Sequence, residues 1–177
     1  MADEKIIDSK QIYDGRVVKL HIETVQLDDG DTYEREVIRH SGAVAILPFD
    51  EDGNIYMVRQ FRTGAGGDLL ELPAGQLEPG EPPEVCARRE LQEEIGMYPE
   101  ELVELGGFYV AASYTSEFIT IFMARGLRES VLPGDKDERI EIVKMPFEEA
   151  VQMAYRNEVY DSKTLIGLMW AAQRLGG

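Results

Sequence analysis

The chain has 177 residues, of which 34 are acidic and 18 basic, so its formal net charge is −16. A protein this acidic is repelled by nucleic-acid backbones and by anionic membrane surfaces, and we expect neither as a partner. A phosphorylated small molecule can still bind if cations and a few arginines reverse the local field.

The length suits one domain with a sizeable core, and the single cysteine, Cys86, precludes an internal disulfide. The first residues, MADEKIIDSK, are charged and lack the apolar core of a signal peptide. No later run is apolar over the length needed to span a membrane. We therefore expect a cytoplasmic protein.

Strands dominate the first half of the predicted structure. Alternating apolar and polar residues, with turn residues between them, predict strands over residues 18–22, 33–39, 43–48 and 55–61. The first two would form an N-terminal strand hairpin within residues 1–42, ahead of a main domain over residues 43–177. The side chains expected in the core of that domain are Val44, Ile46, Tyr56 and Val58.

One helix is predicted in the middle of the chain. A short strand over residues 69–74 precedes it, and the helix itself spans about residues 83–95. Pro82 and Pro83 suit its first turn, where no internal partner exists for a backbone N–H, and Gly96 suits its end.

The remaining elements alternate between strands and loops before two final helices. Strands are predicted over residues 102–110, 118–124 and 140–144, with loops over residues 111–117 and 128–139 between them. Helical periodicity predicts helices over residues 147–156 and 162–175, the last capped by Asp161 or Ser162. This order of elements predicts an α+β fold, an α/β/α sandwich.

Three glutamates are crowded on one face of the central helix. Glu90, Glu93 and Glu94 fall within an arc of about 100°, next to an apolar stripe. Helix glutamates are usually only solvated, but these lie beside the core and between two glycines, Gly75 and Gly96. Clustered carboxylate oxygens are the ligands that Mg²⁺ prefers, and such an ion commonly binds substrate phosphates as well.

The same stretch resembles the signature sequence of the Nudix hydrolases. That signature is Gly, five residues, Glu, seven residues, Arg-Glu, an apolar residue, any residue, Glu-Glu, any residue, Gly and an apolar residue. The chain matches every fixed position, with Gly75, Glu81, Arg89, Glu90, Leu91, Glu93, Glu94, Gly96 and Met97. Three further segments resemble the ADP-ribose pyrophosphatase branch of that family: RQFR at 59–62, LLELPAGQLEPGE at 69–81 and DSKTLIGLMWA at 161–171.

The resemblance implies a mixed central sheet, Mg²⁺ or Mn²⁺ as cofactor, and a homodimer whose N-terminal strands reach over the partner subunit. The implied metal ligands are the Ala74 carbonyl, Glu90 and Glu94, with Glu93 as a further ligand or support. Arg89 is expected to orient Glu93 through a charge-assisted hydrogen bond. Glu81 would serve in a supporting position.

The resemblance also implies a set of substrate-binding residues. Arg62 corresponds to an arginine that holds the terminal phosphate, which suits the planar guanidinium. Arg35 and Glu36 correspond to a pair that reads the adenine, partly from the neighbouring subunit. Gln76 and Glu117 align with positions near the ribose and the phosphates. His21 and His40 have no partner cluster in the sequence and are interpreted as surface or core histidines.

Two loops depart from the branch. In the ADP-ribose pyrophosphatase branch, the loop after the signature usually reads Ser-Pro-Gly and ends in an acidic residue. In this chain the same loop has Ala-Ala-Ser-Tyr at residues 111–114, followed by Glu117. In the loop expected to carry the general base, Lys136 stands at the usual base position, and a protonated lysine cannot accept a proton from water. Glu138 is the candidate base, with Asp137, Glu141 or the signature helix as alternatives.

The sequence therefore predicts a metal-dependent hydrolase that splits the diphosphate of a nucleoside diphosphate sugar. ADP-ribose, giving AMP and ribose 5-phosphate, is the expected substrate. The alternatives are GDP-mannose, ADP-glucose or another nucleoside diphosphate sugar. From a different class, a Nudix-like protein that binds nucleotides without hydrolysing them remains as an alternative.

Overall fold

The computed structural model describes residues 4–134 and 139–176. The chain forms two compact units, one comprising Met1–Gly42 and Phe108–Phe118, the other Ala43–Gly107 and Ile119–Gly177. The described residues contain ten strands, arranged in three sheets, and three helices. This content confirms the α+β class.

The first unit is built on a three-stranded antiparallel sheet. Its strands are β1 (Lys5–Asp14), β2 (Lys19–Gln26) and β3 (Thr32–Arg39), in that order across the sheet. The predicted hairpin corresponds to β2 and β3, but the prediction missed β1. Every residue of β1 is exposed, so its sequence carries no alternation of apolar and polar residues that burial would impose.

The predicted loop over residues 111–117 is attached to β3. Ile38 donates its N–H to the Tyr114 carbonyl at 2.8 Å and accepts from the N–H of Ser116 at 3.0 Å. These backbone hydrogen bonds hold the loop at the end of β3. The position of the loop therefore depends on a contact between distant residues, which the pattern of apolar and polar residues in the sequence cannot reveal.

The second unit contains a mixed four-stranded sheet and an antiparallel three-stranded sheet. The mixed sheet has the order β7-β4-β9-β8, with β4 (Ala43–Pro48), β7 (Ala74–Gln76), β8 (Met97–Tyr109) and β9 (Phe118–Glu129). The other sheet has the order β10-β5-β6, with β5 (Asn54–Arg62), β6 (Gly67–Glu71) and β10 (Glu141–Pro146). Strand β4 pairs in parallel with β9 and antiparallel with β7.

Several predicted boundaries were wrong. Strand β8 begins five residues earlier than predicted, and β9 extends to Glu129 through residues predicted as a loop. Both extensions are rich in charged side chains. Backbone hydrogen bonds hold such residues in a strand without burying their side chains, so the end of the apolar run was a poor guide to the end of the strand.

Three helices complete the second unit, namely α1 (Pro83–Glu94), α2 (Phe147–Tyr155) and α3 (Ser162–Leu175). Helix α1 ends before Gly96, whose φ of 70° lies in the left-handed region. Asp161 caps α3, because its Oδ2 accepts the N–H of Thr164 at 3.0 Å. None of the helices in the described ranges is long and apolar enough to cross a membrane.

The apolar side of α1 packs against the mixed sheet. The buried cluster there consists of Val44, Ile46, Val58, Cys86, Ala87, Leu91, Ile95, Phe122 and Ala124. Three of the four predicted core residues belong to this cluster, and the fourth, Tyr56, is partly buried against it. The packing fixes α1 beside β7, and so fixes the glutamates of α1 beside residues 74–76.

Candidate active site

Two buried glutamates of α1 face strand β7. Glu90 and Glu94 lie one helical turn apart and are only 8% and 7% exposed. The carboxylate of Glu90 lies directly against the backbone of Gly75, where a Cβ would be 1.9 Å from Glu90 Oε1. A side chain at Gly75 would therefore displace the Glu90 carboxylate, which occupies its place.

Glu94 is held by the same strand. Its Oε2 accepts the backbone N–H of Ala74 at 3.0 Å. Ala74 was predicted to bind the metal through its carbonyl. Its N–H contacts Glu94, which is itself a predicted metal ligand. Strand β7 positions both carboxylates, one through Ala74 and the other through Gly75.

Arg89 joins the remaining carboxylates of the signature. Its Nη1 donates to Glu90 Oε1 at 2.6 Å and to Glu93 Oε2 at 2.9 Å. Its Nε and Nη2 donate to the two oxygens of Glu81, both at 2.9 Å. The predicted contact with Glu93 is present, and the structure adds Glu81 and Glu90 to it.

The bidentate pair of Arg89 and Glu81 changes the pKa values of both groups. The hydrogen bonds from Arg89 lower the pKa of Glu81 to about 2, against the effect of partial burial. The same bonds to Glu81, with the charge of Glu90, raise the pKa of Arg89. Both groups therefore remain ionised over the physiological pH range, and the positive charge of Arg89 offsets the repulsion between Glu90 and Glu93.

Arg62, the predicted phosphate ligand, is held by a buried glutamate. Its Nε and Nη2 each donate at 2.8 Å to the two oxygens of Glu71, which is 1% exposed. Lys163 donates to Glu71 Oε2 at 2.5 Å and pairs with Asp161 at 3.0 Å. Burial alone would raise the pKa of Glu71, but the bonds from Arg62 and Lys163 outweigh it and lower that pKa.

Sequence reasoning missed Glu71 and Lys163. Glu71 is flanked by Leu70 and Leu72 within a predicted strand, and a carboxylate in such a setting needs a cationic partner if it is buried. That signal indicates that a partner exists but does not say which of the basic residues it is.

Comparison with known proteins places the chain in a family. Residues 39–165 match the family model of the NUDIX domain. The chain belongs to the Nudix family. It is a Nudix pyrophosphatase, an enzyme that hydrolyses a diphosphate bond.

Two relatives and one solved structure are similar over nearly the whole chain. A methanol dehydrogenase activator of Bacillus methanolicus is 39% identical over 95% of this chain and 92% of its own length. An ADP-ribose pyrophosphatase of Bacillus subtilis (strain 168) is 38% identical with the same coverage. The crystal structure of an ADP compounds hydrolase matches with a TM-score of 0.87, covering 98% of this chain and 95% of its own, at 24% identity. That structure supports the fold alone.

Nudix proteins generally use divalent metals, and the oxygen donors near α1 fit such an ion in type. In the described part of the chain, no three His, Cys, Asp or Glu side chains converge as a complete metal cage. Mg²⁺ keeps several of its waters and needs only one or two carboxylates from the protein, with substrate phosphates as further ligands. Glu90 and Glu94, buried and one turn apart, satisfy that smaller requirement.

The predicted adenine-reading pair of the Nudix protein lies on β3, in the first unit. Arg35 is half-exposed, pairs with Glu4 at 2.7 Å and lies over the Tyr33 ring. The register of β2 and β3 is regular at Arg35 and Glu36, so successive side chains point to opposite faces of the sheet. The two residues therefore cannot contact one base from the same face of one sheet.

Glu117 and Gln76 have neighbours that the sequence did not reveal. His40 Nε2 lies 4.0 Å from Glu117 Oε1, and the His40 side chain is buried. His40 is thus a core histidine, one of the two alternatives that the sequence left open, and Glu117 is its neighbour. Gln76 is exposed at the end of β7, where its backbone carbonyl accepts a hydrogen bond from Arg89 Nη2 at 3.1 Å.

The candidate general base, Glu138, lies outside the described residues, as do Lys136 and Asp137. Among the alternatives, Glu141 begins β10, where it is largely exposed and its carboxylate lies 3.5 Å from Arg59. The assignment of the base therefore stays a prediction.

Proposed function

We propose that this Nudix pyrophosphatase hydrolyses ADP-ribose to AMP and ribose 5-phosphate, with Mg²⁺ or Mn²⁺ as cofactor. The observation that carries the substrate is the 38% identity to a named ADP-ribose pyrophosphatase over 95% of this chain. The complete set of signature carboxylates, held in place by Arg89, Ala74 and Gly75, supports turnover as opposed to nucleotide binding alone.

Glu90, Glu94 and the Ala74 carbonyl are the groups proposed to hold the cation, with Glu93 as a further ligand or support. A bound divalent ion supplies positive charge that offsets the diphosphate and the charge that develops as its bridging bond breaks. Arg89 keeps Glu90 and Glu93 in place through charge-assisted hydrogen bonds.

Arg62 is proposed to bind a phosphate through the part of its guanidinium that Glu71 does not use. Glu71 occupies Nε and Nη2, so Nη1 is the remaining amine of the fork. Water then attacks one phosphorus, the bond to the bridging oxygen breaks, and Glu138 is proposed to accept the proton of that water. AMP and ribose 5-phosphate leave as the two products.

The first unit is proposed to form a homodimer and to contribute to base recognition. Several apolar side chains of its sheet are about half exposed, namely Ile6, Ile7, Ile12, Tyr13 and Tyr33. Such a surface favours a protein partner, and a second copy is the partner proposed. Because Arg35 and Glu36 point to opposite faces, a base read by both would need one residue from each subunit.

The substrate is tested by monophosphate release from a panel of ADP-ribose, ADP-glucose and GDP-mannose, with Mg²⁺, Mn²⁺ and excess EDTA compared. We expect the highest kcat/KM for ADP-ribose and complete loss with EDTA. A preference for GDP-mannose would contradict ADP-ribose as the substrate but would still support diphosphate hydrolysis as the reaction. Turnover that survives EDTA would contradict the metal requirement.

The site is tested by Glu94→Gln, which keeps the shape of the side chain and removes its charge. We expect metal-dependent turnover to fall by a factor of about 100 or more while the melting temperature changes little. Glu84→Gln is the matched control, because Glu84 lies in the exposed first turn of the same helix. Near-normal turnover of Glu94→Gln would contradict the assignment.

A second candidate function is activation of a methanol dehydrogenase, which rests on the relative with that name at 39% identity. It is tested by adding the purified chain to a methanol dehydrogenase and measuring the rate of methanol oxidation. A rise with the wild type but not with Glu94→Gln would connect activation to diphosphate hydrolysis. No change in the dehydrogenase rate would reject this candidate.

A further inference from the structure

We propose that Lys163 is a positioning residue that acts through Glu71 on Arg62, and thereby sets the affinity of the site for the diphosphate. This inference rests on the proposed function, since it takes Arg62 as the group that binds a substrate phosphate. Lys163 lies 92 residues from Glu71 in the sequence and belongs to a different element, the first turn of α3.

Glu71 is the centre of the arrangement. Its carboxylate is almost completely buried, so each oxygen must be satisfied by protein donors. Oε1 accepts from Arg62 Nε, and Oε2 accepts from both Arg62 Nη2 and Lys163 Nζ. Lys163 therefore shares the carboxylate with the guanidinium, and the two cations compete for the same oxygen.

The charge of Lys163 decides how strongly Arg62 can attract a phosphate. With Lys163 present, two cations, Arg62 and Lys163, balance two carboxylates, Glu71 and Asp161. Without it, the group would carry an excess negative charge beside Arg62, in a chain that is already strongly acidic. An anionic diphosphate would then meet a weaker positive field and a guanidinium more fully neutralised by Glu71.

The ammonium of Lys163 is fixed in place by its neighbours. Thr164 is fully buried, accepts the Leu72 N–H at 2.8 Å and donates its hydroxyl to Asp161 Oδ2 at 2.5 Å. Asp161 in turn pairs with Lys163 through its other oxygen, Oδ1. The start of α3 is thus attached to residues 71–72, and the Lys163 side chain, 12% exposed, has little freedom to move away.

The decisive variant is Lys163→Met, which keeps a long apolar side chain and removes the charge. We expect its KM for ADP-ribose to rise about tenfold, as for the loss of one interaction with a charged group, while kcat stays within about twofold. Lys163→Arg should restore most of the affinity because it restores the cation. Lys144→Met is the matched control, since Lys144 also pairs with an aspartate, Asp50, but outside this cluster.

A double-mutant cycle separates positioning from a general structural effect. In an Arg62→Ala background, Lys163→Met should cause little further change in KM, because the residue through which it acts is absent. A purely structural role would produce the same rise in both backgrounds and would lower the melting temperature in parallel.

Three outcomes overturn the inference: an unchanged KM in Lys163→Met, an equal rise in both backgrounds, or a KM for Lys163→Arg as high as that for Lys163→Met. Failure of the proposed function gives a different result: the wild type itself would release no monophosphate from any substrate of the panel. In that case the inference about Lys163 would be rejected as well. If another sugar is preferred to ADP-ribose, the cycle is measured on that substrate.

Discussion

The carboxylate of Glu90 occupies the space that a side chain at Gly75 would fill. A Cβ at this position would lie 1.9 Å from Glu90 Cδ, far inside van der Waals contact. The φ of Gly75 is not in the left-handed region, so glycine is favoured here by the close approach of the Glu90 carboxylate and not by backbone conformation. The first residue of the signature is thereby connected to a proposed metal ligand.

Gly75→Ala should therefore displace the Glu90 carboxylate from its position between Gly75 and Arg89. We expect kcat/KM for the diphosphate substrate to fall about 100-fold, because a shift of about 1 Å in a reactive group has effects of this size. Gly64→Ala is the control, since a Cβ on Gly64 would meet nothing within 4 Å. Equal activity of Gly75→Ala and wild type would show that the position of Glu90 is unimportant.

Arg89→Lys tests whether the geometry of the guanidinium matters beyond its charge. One ammonium cannot donate to Glu81, Glu90 and Glu93 in the arrangement that the planar fork achieves. We expect a loss of turnover of at least about tenfold and a lower melting temperature, as carboxylates lose a charge-assisted partner. The neighbouring variant Arg88→Lys should keep its turnover, since Arg88 contacts the Pro99 carbonyl and the Tyr98 ring outside the site.

The lowered pKa of Glu81 predicts a pH dependence of stability. The hydrogen bonds from Arg89 lower that pKa from 4.5 to about 2, so the ionised form stabilises the folded state. This contribution is complete above pH 4.5, the value for an unperturbed glutamate, and disappears as the pH falls through about 2.

We therefore expect Glu81→Gln to have a lower free energy of unfolding than the wild type at pH 7. The difference between the two should shrink as the pH is lowered from about 4.5 towards 2, measured by urea denaturation at each pH. A difference that stays constant over this range would mean that the charge of Glu81 adds nothing to stability.

The proposed dimer is tested on strand β1. Ile6 and Ile12, each about half exposed, should be covered by the partner subunit, and replacing both with lysine should convert a dimer into monomers in analytical ultracentrifugation. Val131→Lys, at an apolar residue exposed outside the first unit, should leave the sedimentation coefficient unchanged. A wild type that sediments as a monomer at all concentrations would reject the proposal.

Local patterns in the sequence were sufficient for the signature helix. Its bounds, its apolar stripe and the spacing of Glu90 and Glu94 all depend on helical periodicity and on proline and glycine at the ends. The contact of Arg89 with Glu93 was implied by the family resemblance, and it joins two residues four positions apart on the same helix. These features follow from residues a few positions apart, whose relative geometry the helix fixes by itself.

Other features depended on contacts between distant residues. The sequence by itself determined the chemistry of the signature, since the identity and spacing of its glutamates are local properties. Only the tertiary structure decided that Lys163 meets Glu71, that His40 lies beside Glu117, and that β1 adds a third strand to the predicted hairpin. A buried carboxylate requires a cation, but packing of elements far apart in the chain determines which cation it receives.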